Sequence, residues 1–223
     1  MTFNKKKTYE QHDNESGSYY KSSVKPYYSS DILENNIEVD ICIIGGGFTG
    51  VSSALNLAKK GFSVAIFESR LIGWGASGRN GGQLGNGMRK DQLFLEKKLG
   101  FEHARNLWNI GLEAVQNSLD LINKYKINCN LQNGVITAGC FDNDIEYFKY
   151  EKNHLEKFYD NSNLKILNKD QIREEVSSDL YESGMINYGS FHINPLKFLL
   201  GLTNQIQLMN VKVFENTPIT NII

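Results

Sequence analysis

The sequence predicts an α/β fold, and three observations near its beginning support this prediction. An apolar, β-branched run at 38–44 leads into consecutive glycines, and an amphipathic pattern then runs over 48–60. A second apolar run at 62–68 ends on an acidic residue. Strand, helix and strand within about thirty residues form one βαβ unit, whose strands should be parallel and whose crossover should be right-handed.

The elements of this unit can be justified one by one. The run EVDICII at 38–44 is typical of a buried parallel strand, so Cys42 within it should be buried and inert. The helix at 48–60 places its apolar residues on one face, and Gly61 follows it as a helix-ending glycine. The run FSVAIFE at 62–68 is the second strand.

Helical and strand patterns continue along the rest of the chain. Helices are predicted at 90–98, 101–126, 145–159, 168–176 and 195–208, the last opening on a proline. Strands are predicted at 134–140, 211–214 and 219–223. His154, on a helix rich in charges, is expected at the surface. Residues 1–36 are polar and read as an extended arm whose tyrosines (Tyr19, Tyr20, Tyr27 and Tyr28) could pack on a surface.

Composition excludes several classes of function. The formal net charge of −1 gives no electrostatic case for a nucleic-acid or anionic-membrane partner. The three cysteines have no CxxC spacing, which argues against a disulfide framework and a zinc site and suits a reducing cytoplasm. No apolar run approaches the ~18 residues of a membrane span.

The glycine run after the first strand has the spacing of a dinucleotide-binding turn. In GGGFTG, Gly45 permits a tight turn, Gly47 lets the backbone approach a pyrophosphate, and Gly50 lets the helix pack close to the strand. The N-terminus of the helix offers N–H groups to phosphates. Glu68, at the end of the second strand, is placed to accept hydrogen bonds from ribose hydroxyls, which argues against a 2′-phosphate. This fingerprint alone leaves NAD and FAD open.

A long glycine-rich loop at 70–88 then intervenes where a nicotinamide dehydrogenase usually leads quickly into its next helix. Gly81 and Gly82 in this loop would let backbone N–H groups face a flat ring or a phosphate. Ser77 and Arg79 can add charge-assisted bonds to phosphate oxygens. The loop therefore disfavours, without excluding, a nicotinamide dehydrogenase.

At this point two segments resemble a known family. They are DICIIGGGFTGVSSALNLAKKGFSVAIFE and GWGASGRNGGQ, and they are similar to the amino-acid-oxidase type of FAD-dependent oxidoreductases. The segments GMINYGSFHINPLKFLLGL and VKVFENTPITNI resemble later parts of that family. The resemblance covers residues 37–223, and GASGRNGGQ is most similar to oxidases that act on gamma-glutamylputrescine.

The resemblance implies a Rossmann-like FAD/NAD(P)-binding domain with the start of an antiparallel-sheet substrate domain, which the strand at 134–140 and the segment near 184–192 would begin. The FAD-binding part would comprise 37–127 and 195–223, and the partial substrate-binding part 128–194. The implied FAD-binding residues are Gly45, Gly47, Phe48, Thr49, Gly50, Glu68, Ser69, Ser77, Arg79, Asn80, Gly81, Gly82, Gln83 and Ile219. Because family members run well beyond residue 223, the chain is expected to be truncated, with a separately encoded C-terminal half as one explanation.

The implied chemistry is oxidation of an amine or amino acid. A hydride leaves the α-carbon for the flavin, the imine hydrolyses to an aldehyde, and O₂ is reduced to H₂O₂ in a cytoplasmic enzyme. The alternative is an inactive FAD-binding fragment or half of a split enzyme. No catalytic residue is identified: His192, Tyr181 and Tyr188 are better explained as structural residues, and Trp74 could equally cover the flavin loop or pack on the arm.

Overall fold

The computed structural model describes residues 18–24 and 33–222, which form two compact units. The first unit contains the described residues up to Gly81, together with Ile127–Cys129 and the chain from Asn194 onward. The second contains Gly82–Lys126 and Asn130–Ile193. This division differs from the expected one mainly at 82–126, which lies with the second unit.

The helices and strands are close to those that the sequence predicts. The helices are α1 (Tyr19–Ser22), α2 (Phe48–Lys59), α3 (Gln92–Leu99), α4 (Phe101–Tyr125), α5 (Asp144–Tyr159), α6 (Lys169–Val176) and α7 (Pro195–Leu208). The strands are β1 (Ile41–Ile44), β2 (Val64–Phe67), β3 (Gln83–Leu84), β4 (Gln132–Gly139), β5 (Leu164–Leu167), β6 (Ser183–His192) and β7 (Lys212–Phe214). Strands β3 and β5 were not predicted, and α1 places one helical turn in the arm that was expected to be extended.

The first unit is built on a parallel sheet in the order β1-β2-β7. One face of the sheet packs against α2, whose Val51, Ala54 and Leu55 are fully or almost fully buried. Helix α7 packs beside α2, and the rings of Phe48 and Phe198 lie 5.7 Å apart between the two helices. The βαβ prediction is therefore confirmed, since β1 and β2 are parallel and α2 connects them.

The opposite face of this sheet is covered only in part, and the expectation for Cys42 is wrong. Leu33, Ile37 and Val39 pack against a buried cluster of β2 and β7 residues. Cys42 and Ile44, which project from β1 on this same face by their register with β2, are exposed. The described residues that cover this face lie against β2 and β7, so the side chains of Cys42 and Ile44 on β1 are left exposed.

The strand expected at 219–223 is absent from its described residues. Residues 219–222 have no regular structure, and Ile219 is 39% exposed. A strand forms only where a neighbour accepts and donates its backbone hydrogen bonds, and the described chain places no strand beside this segment. Tyr27 and Tyr28 of the arm lie outside the described residues.

The second unit is built on an antiparallel sheet with β6 at its centre. Strand β6 pairs with β3, β4 and β5, because its ten residues are long enough to serve neighbours on both sides. An aromatic cluster that includes Trp108, Phe148 and Tyr159 packs with Met185 of β6. Asn168 begins α6 with a capping box, as its position predicts.

The expectation that His154 lies at the surface is wrong. Its side chain is 14% exposed, and its Nε2 lies 2.7 Å from Oε1 of Glu96. The Tyr159 hydroxyl donates to the same carboxylate oxygen over 2.7 Å. Glu96 thus joins α3 to α5, and two aromatic side chains satisfy a carboxylate that is itself mostly buried.

Candidate cofactor site

The glycine turn follows β1 directly, and its geometry explains two of its glycines. Gly45 has φ of 104°, a region that favours glycine, and its N–H donates to the carbonyl of Phe67 over 2.9 Å. A Cβ on Gly50 would lie 2.0 Å from the Gly45 carbonyl oxygen. Helix α2 can therefore pack this close to the turn only with glycine at position 50.

The N-terminus of α2 is tied to the glycine-rich loop. Gly47 is the N-cap residue, and the Phe48 N–H donates to the Ser77 hydroxyl oxygen over 3.0 Å. A Cβ on Gly47 would come within 2.9 Å of that same oxygen. The first N–H groups of a helix, here including that of Thr49, have no acceptor within the helix and can donate to an anion.

Glu68 lies at the carboxyl end of β2 and reaches back to the glycine turn. Its Oε2 accepts from the Gly46 N–H over 2.7 Å. Its Oε1 accepts from the Arg70 N–H over 2.8 Å and from the Ser69 hydroxyl over 3.2 Å. An ionised carboxylate has about four lone-pair positions, so these three bonds leave capacity for a ribose hydroxyl.

The loop after Glu68 is a folded structure and not a linker. It contains a single 3₁₀ turn at Ala76–Gly78, and the Gly73 N–H donates to the Gly46 carbonyl over 3.2 Å. The Asn80 side-chain amide donates to the Ala76 and Ser77 carbonyls. The Gly73 bond ties the loop to the glycine turn, and the Asn80 bonds hold the 3₁₀ turn of the loop together.

Sequence analysis missed the buried carboxylate that holds this loop. Glu215 is 7% exposed, and its Oε1 accepts from the Ile72 N–H over 2.6 Å. It follows β7 as Glu68 follows β2, so an acid at the end of the predicted strand at 211–214 was the available signal. The Glu68 carbonyl also accepts from the Thr217 N–H over 2.9 Å.

The remaining residues predicted to bind the cofactor are Arg79, Gly81, Gly82, Gln83 and Ile219. Arg79 and Gly81 are exposed in the first unit, and Ile219 lies in the irregular segment after β7. Gly82 and Gln83 belong to the second unit, where the Gly82 carbonyl accepts from the Ile193 N–H and Gln83 pairs with His192. Their assignment to the cofactor stays a prediction.

Neither a metal site nor a membrane span is found in the part of the chain that the structure describes. No three His, Cys, Asp or Glu side chains there are grouped so that they could hold a metal ion. Helices α1 to α7 include none that is long and apolar enough to cross a membrane.

Comparison with known proteins decides between the two dinucleotides. The sequence profile of the FAD dependent oxidoreductase family, also called DAO, matches residues 40–223. The chain belongs to this family. The family is FAD-dependent, so FAD is the cofactor, and the hypothesis of a nicotinamide dehydrogenase is set aside.

Two curated relatives support the assignment. The chain is 37% identical over 205 residues to gamma-glutamylputrescine oxidoreductase of Escherichia coli, covering 92% of this chain and 48% of the relative. It is 32% identical over 206 residues to the probable oxidoreductase OrdL of Haemophilus influenzae, with the same two coverages. The chain therefore spans about half the length of the curated relatives it matches.

Solved structures confirm the fold. Glycine oxidase from Bacillus cereus superposes with a TM-score of 0.62 at 21% identity, over 83% of this chain and 48% of that one. FAD-bound L-alpha-glycerophosphate oxidase from Mycoplasma pneumoniae gives 0.62 at 19% identity, over 83% and 47%. The predicted Rossmann-like FAD-binding fold with part of an antiparallel-sheet domain is confirmed.

The residues of the first unit fit the dinucleotide part of FAD. A Cβ on Gly47 would lie 2.9 Å from the Ser77 hydroxyl oxygen, and one on Gly50 would lie 2.0 Å from the Gly45 carbonyl oxygen, so both positions need the glycine that a dinucleotide-binding turn requires. The first N–H groups of α2, which have no acceptor within the helix, suit a diphosphate, and the Glu68 carboxylate suits a ribose.

Proposed function

We propose that this chain provides the FAD-binding part of an enzyme that oxidises a primary or secondary amine or an amino acid, with a gamma-glutamylputrescine-like compound as substrate. The observation that carries the proposal is the locking of the glycine-rich loop onto the glycine turn, through the Ser77 hydroxyl and the Gly46 carbonyl. This arrangement suits FAD, and similarity to the Escherichia coli relative supports the substrate class.

The proposed reaction removes two electrons and two protons from the amine. The substrate loses a hydride from its α-carbon and a proton from its nitrogen, which gives an imine. Water then hydrolyses the imine and releases the amine or ammonia, which leaves an aldehyde from a gamma-glutamylputrescine-like amine and a 2-oxo acid from an α-amino acid. When bound, FAD supplies the two-electron acceptor, and O₂ takes these electrons to give H₂O₂.

In this proposal the chain's own residues bind and orient the cofactor. The N–H groups at the start of α2, with the Ser77 hydroxyl and the Arg79 guanidinium, hold the diphosphate. Glu68 accepts from the adenosine ribose, and Gly81 leaves the backbone open beside the flavin. The three free cysteines are compatible with the cytoplasmic location expected from the sequence.

The proposed cofactor role is tested by flavin absorbance of the purified, refolded chain. We expect bound FAD in the wild type and none in Gly47→Val, because the valine side chain would occupy the space next to Ser77 that the diphosphate approaches. Gly75→Val is the matched control, since a Cβ there meets nothing within 4 Å. A folded wild type that binds NAD and not FAD would overturn the assignment.

A second candidate is an FAD-binding chain that turns over only with another polypeptide. The exposed β1 residues Cys42 and Ile44, the latter 57% exposed beside the glycine turn, favour it. We expect little or no H₂O₂ from gamma-glutamylputrescine with this chain alone. Adding the part of the Escherichia coli relative that this chain does not match should restore turnover, whereas robust turnover by the chain alone would exclude this candidate.

A further inference from the structure

Trp74, in the middle of the glycine-rich loop, holds two guanidinium groups against its indole. The Cζ of Arg70 lies 3.4 Å from the ring centroid, and the Cζ of Arg79 lies 4.3 Å from it. Both are well within the ~6 Å of a cation–π contact, for which tryptophan is the best partner. Planar guanidinium groups that stack on a ring are restricted in direction, so Trp74 fixes where two positive charges lie.

The backbone that carries this stack is itself fixed to the cofactor site. Gly73, which precedes Trp74, donates to the Gly46 carbonyl of the glycine turn over 3.2 Å. The Arg70 N–H donates to Glu68, and the Arg70 carbonyl accepts from the Asn216 N–H over 2.8 Å. Trp74 is therefore held beside the glycine turn and cannot drift with a flexible loop.

We propose that Trp74 is a positioning residue that presents Arg70 and Arg79 to the diphosphate of the bound dinucleotide. This inference rests on the proposed FAD site and goes beyond it, because it assigns the tryptophan a role in directing charge and adds Arg70 to the groups that face the diphosphate. The anion recognised is a diphosphate, whether it belongs to FAD or to free ADP.

The experiment compares Trp74→Phe with Trp74→Leu. Phenylalanine keeps an aromatic face, whereas leucine keeps only apolar bulk. Affinity for FAD is measured by titration at low and high salt, and affinity for ADP is measured by calorimetry. We expect Trp74→Leu to weaken binding of both roughly tenfold at low salt and Trp74→Phe to stay within about threefold, as loss of cation–π contacts predicts.

Salt dependence separates charge positioning from a merely structural role. Because screening weakens exposed charge pairs, Trp74→Leu and Arg70→Gln should both make FAD binding less sensitive to salt. Lys90→Gln is the matched control, because Lys90 also lies over an aromatic ring, 5.4 Å from the centroid of Phe94, but in the second unit. It should leave affinity and salt dependence unchanged.

The outcomes distinguish this inference from the function on which it rests. If the wild-type chain binds neither FAD nor ADP, the result contradicts the proposed function itself. A wild type that binds both, with Trp74→Leu folded by circular dichroism and binding equally well with the same salt dependence, would overturn the role of Trp74. If Trp74→Leu does not fold, the Arg70→Gln variant decides the question, and unchanged salt dependence in that variant overturns the inference.

Discussion

Gly50 lies where any larger residue would collide with the backbone of the turn that precedes it. Its Cβ would be 2.0 Å from a carbonyl oxygen, which cannot rotate away as a side chain could. Glycine is therefore needed at the three positions of the motif for different reasons. Gly45 has a positive φ, a Cβ on Gly47 would press against Ser77, and Gly50 allows the helix and the turn to touch.

Substitution at Gly50 should damage both stability and cofactor binding. We expect Gly50→Ala to lower the free energy of unfolding by about 1–3 kcal/mol, as overpacking does, and to weaken FAD binding because α2 must shift. Urea unfolding and FAD titration measure the two effects. Gly75→Ala, where a Cβ meets nothing within 4 Å, is the control and should change neither. Equal behaviour of the two variants would contradict the explanation.

Glu215 should stabilise the cofactor loop through one buried hydrogen bond. Glu215→Ala leaves the Ile72 N–H without this acceptor, and an unsatisfied buried donor costs about 1–3 kcal/mol. Glu215→Gln keeps an acceptor oxygen and should cost less. Hydrogen exchange at the Ile72 amide reports the loss directly. If the alanine and glutamine variants exchanged at the same rate, the hydrogen bond would not be what holds the loop.

At the scale of elements, α5 meets the beginning of α3 through two carboxylates. Asp91 caps α3 by accepting from the Phe94 N–H over 2.7 Å. Burial, and then the charge of Asp91, raise the pKa of Glu151 on α5 above its ordinary value. The fold therefore favours the protonated form of Glu151, so its contribution is fully present at low pH and is lost as the pH rises through the raised pKa.

Removing this charge should stabilise the protein at neutral pH. We expect Glu151→Gln to unfold at a higher temperature than the wild type at pH 7, because burial and the charge of Asp91 make the ionised form of Glu151 less favourable in the fold than in the unfolded chain. The difference should vanish below the ordinary pKa of a glutamate, near pH 4, where the wild-type side chain is protonated in both states. Thermal unfolding at the two pH values measures this. Glu174→Gln, on an exposed part of α6, should show no such dependence.

The elements themselves were largely predictable because they follow from local patterns. Apolar residues at helical spacing predicted α4 over 101–126, and the structure has it at Phe101–Tyr125. Strands β3 and β5 were missed because they are short and are defined by their pairing with β6. The segment at 219–223 has a strand's composition, but its described residues are irregular, because a strand needs a neighbour as well as a pattern.

At the scale of the whole molecule, ligand binding should stabilise the fold through its first unit. With FAD at 100 times its dissociation constant, the free energy of unfolding should rise by about 2.7 kcal/mol. Hydrogen exchange should slow at the amides of Phe48 and Ile72, which belong to the turn and the loop. A comparable rise with NAD and none with FAD would contradict the cofactor assignment.

The unit to which helices α3 and α4 belong was the least predictable property of the chain. Helices α3 and α4 carry ordinary amphipathic patterns, and nothing in those patterns says which sheet they join. The contacts of Trp108 with Tyr159, and of the Gln92 amide with the Tyr159 hydroxyl, place these helices with the antiparallel sheet. Such pairings join residues that are distant in the chain, so only the folded structure reveals them.

The sequence by itself determined the βαβ unit, the glycine turn and the acidic residue after β2, because each depends on residues adjacent in the chain. It also determined the family, through the motif that continues into the glycine-rich loop. Only the tertiary structure decided that Glu215 accepts a hydrogen bond from this loop and that the guanidinium groups of Arg70 and Arg79 lie over the ring of Trp74. These contacts depend on where β7 and the loop meet in space, and side-chain direction there follows from packing and not from local pattern.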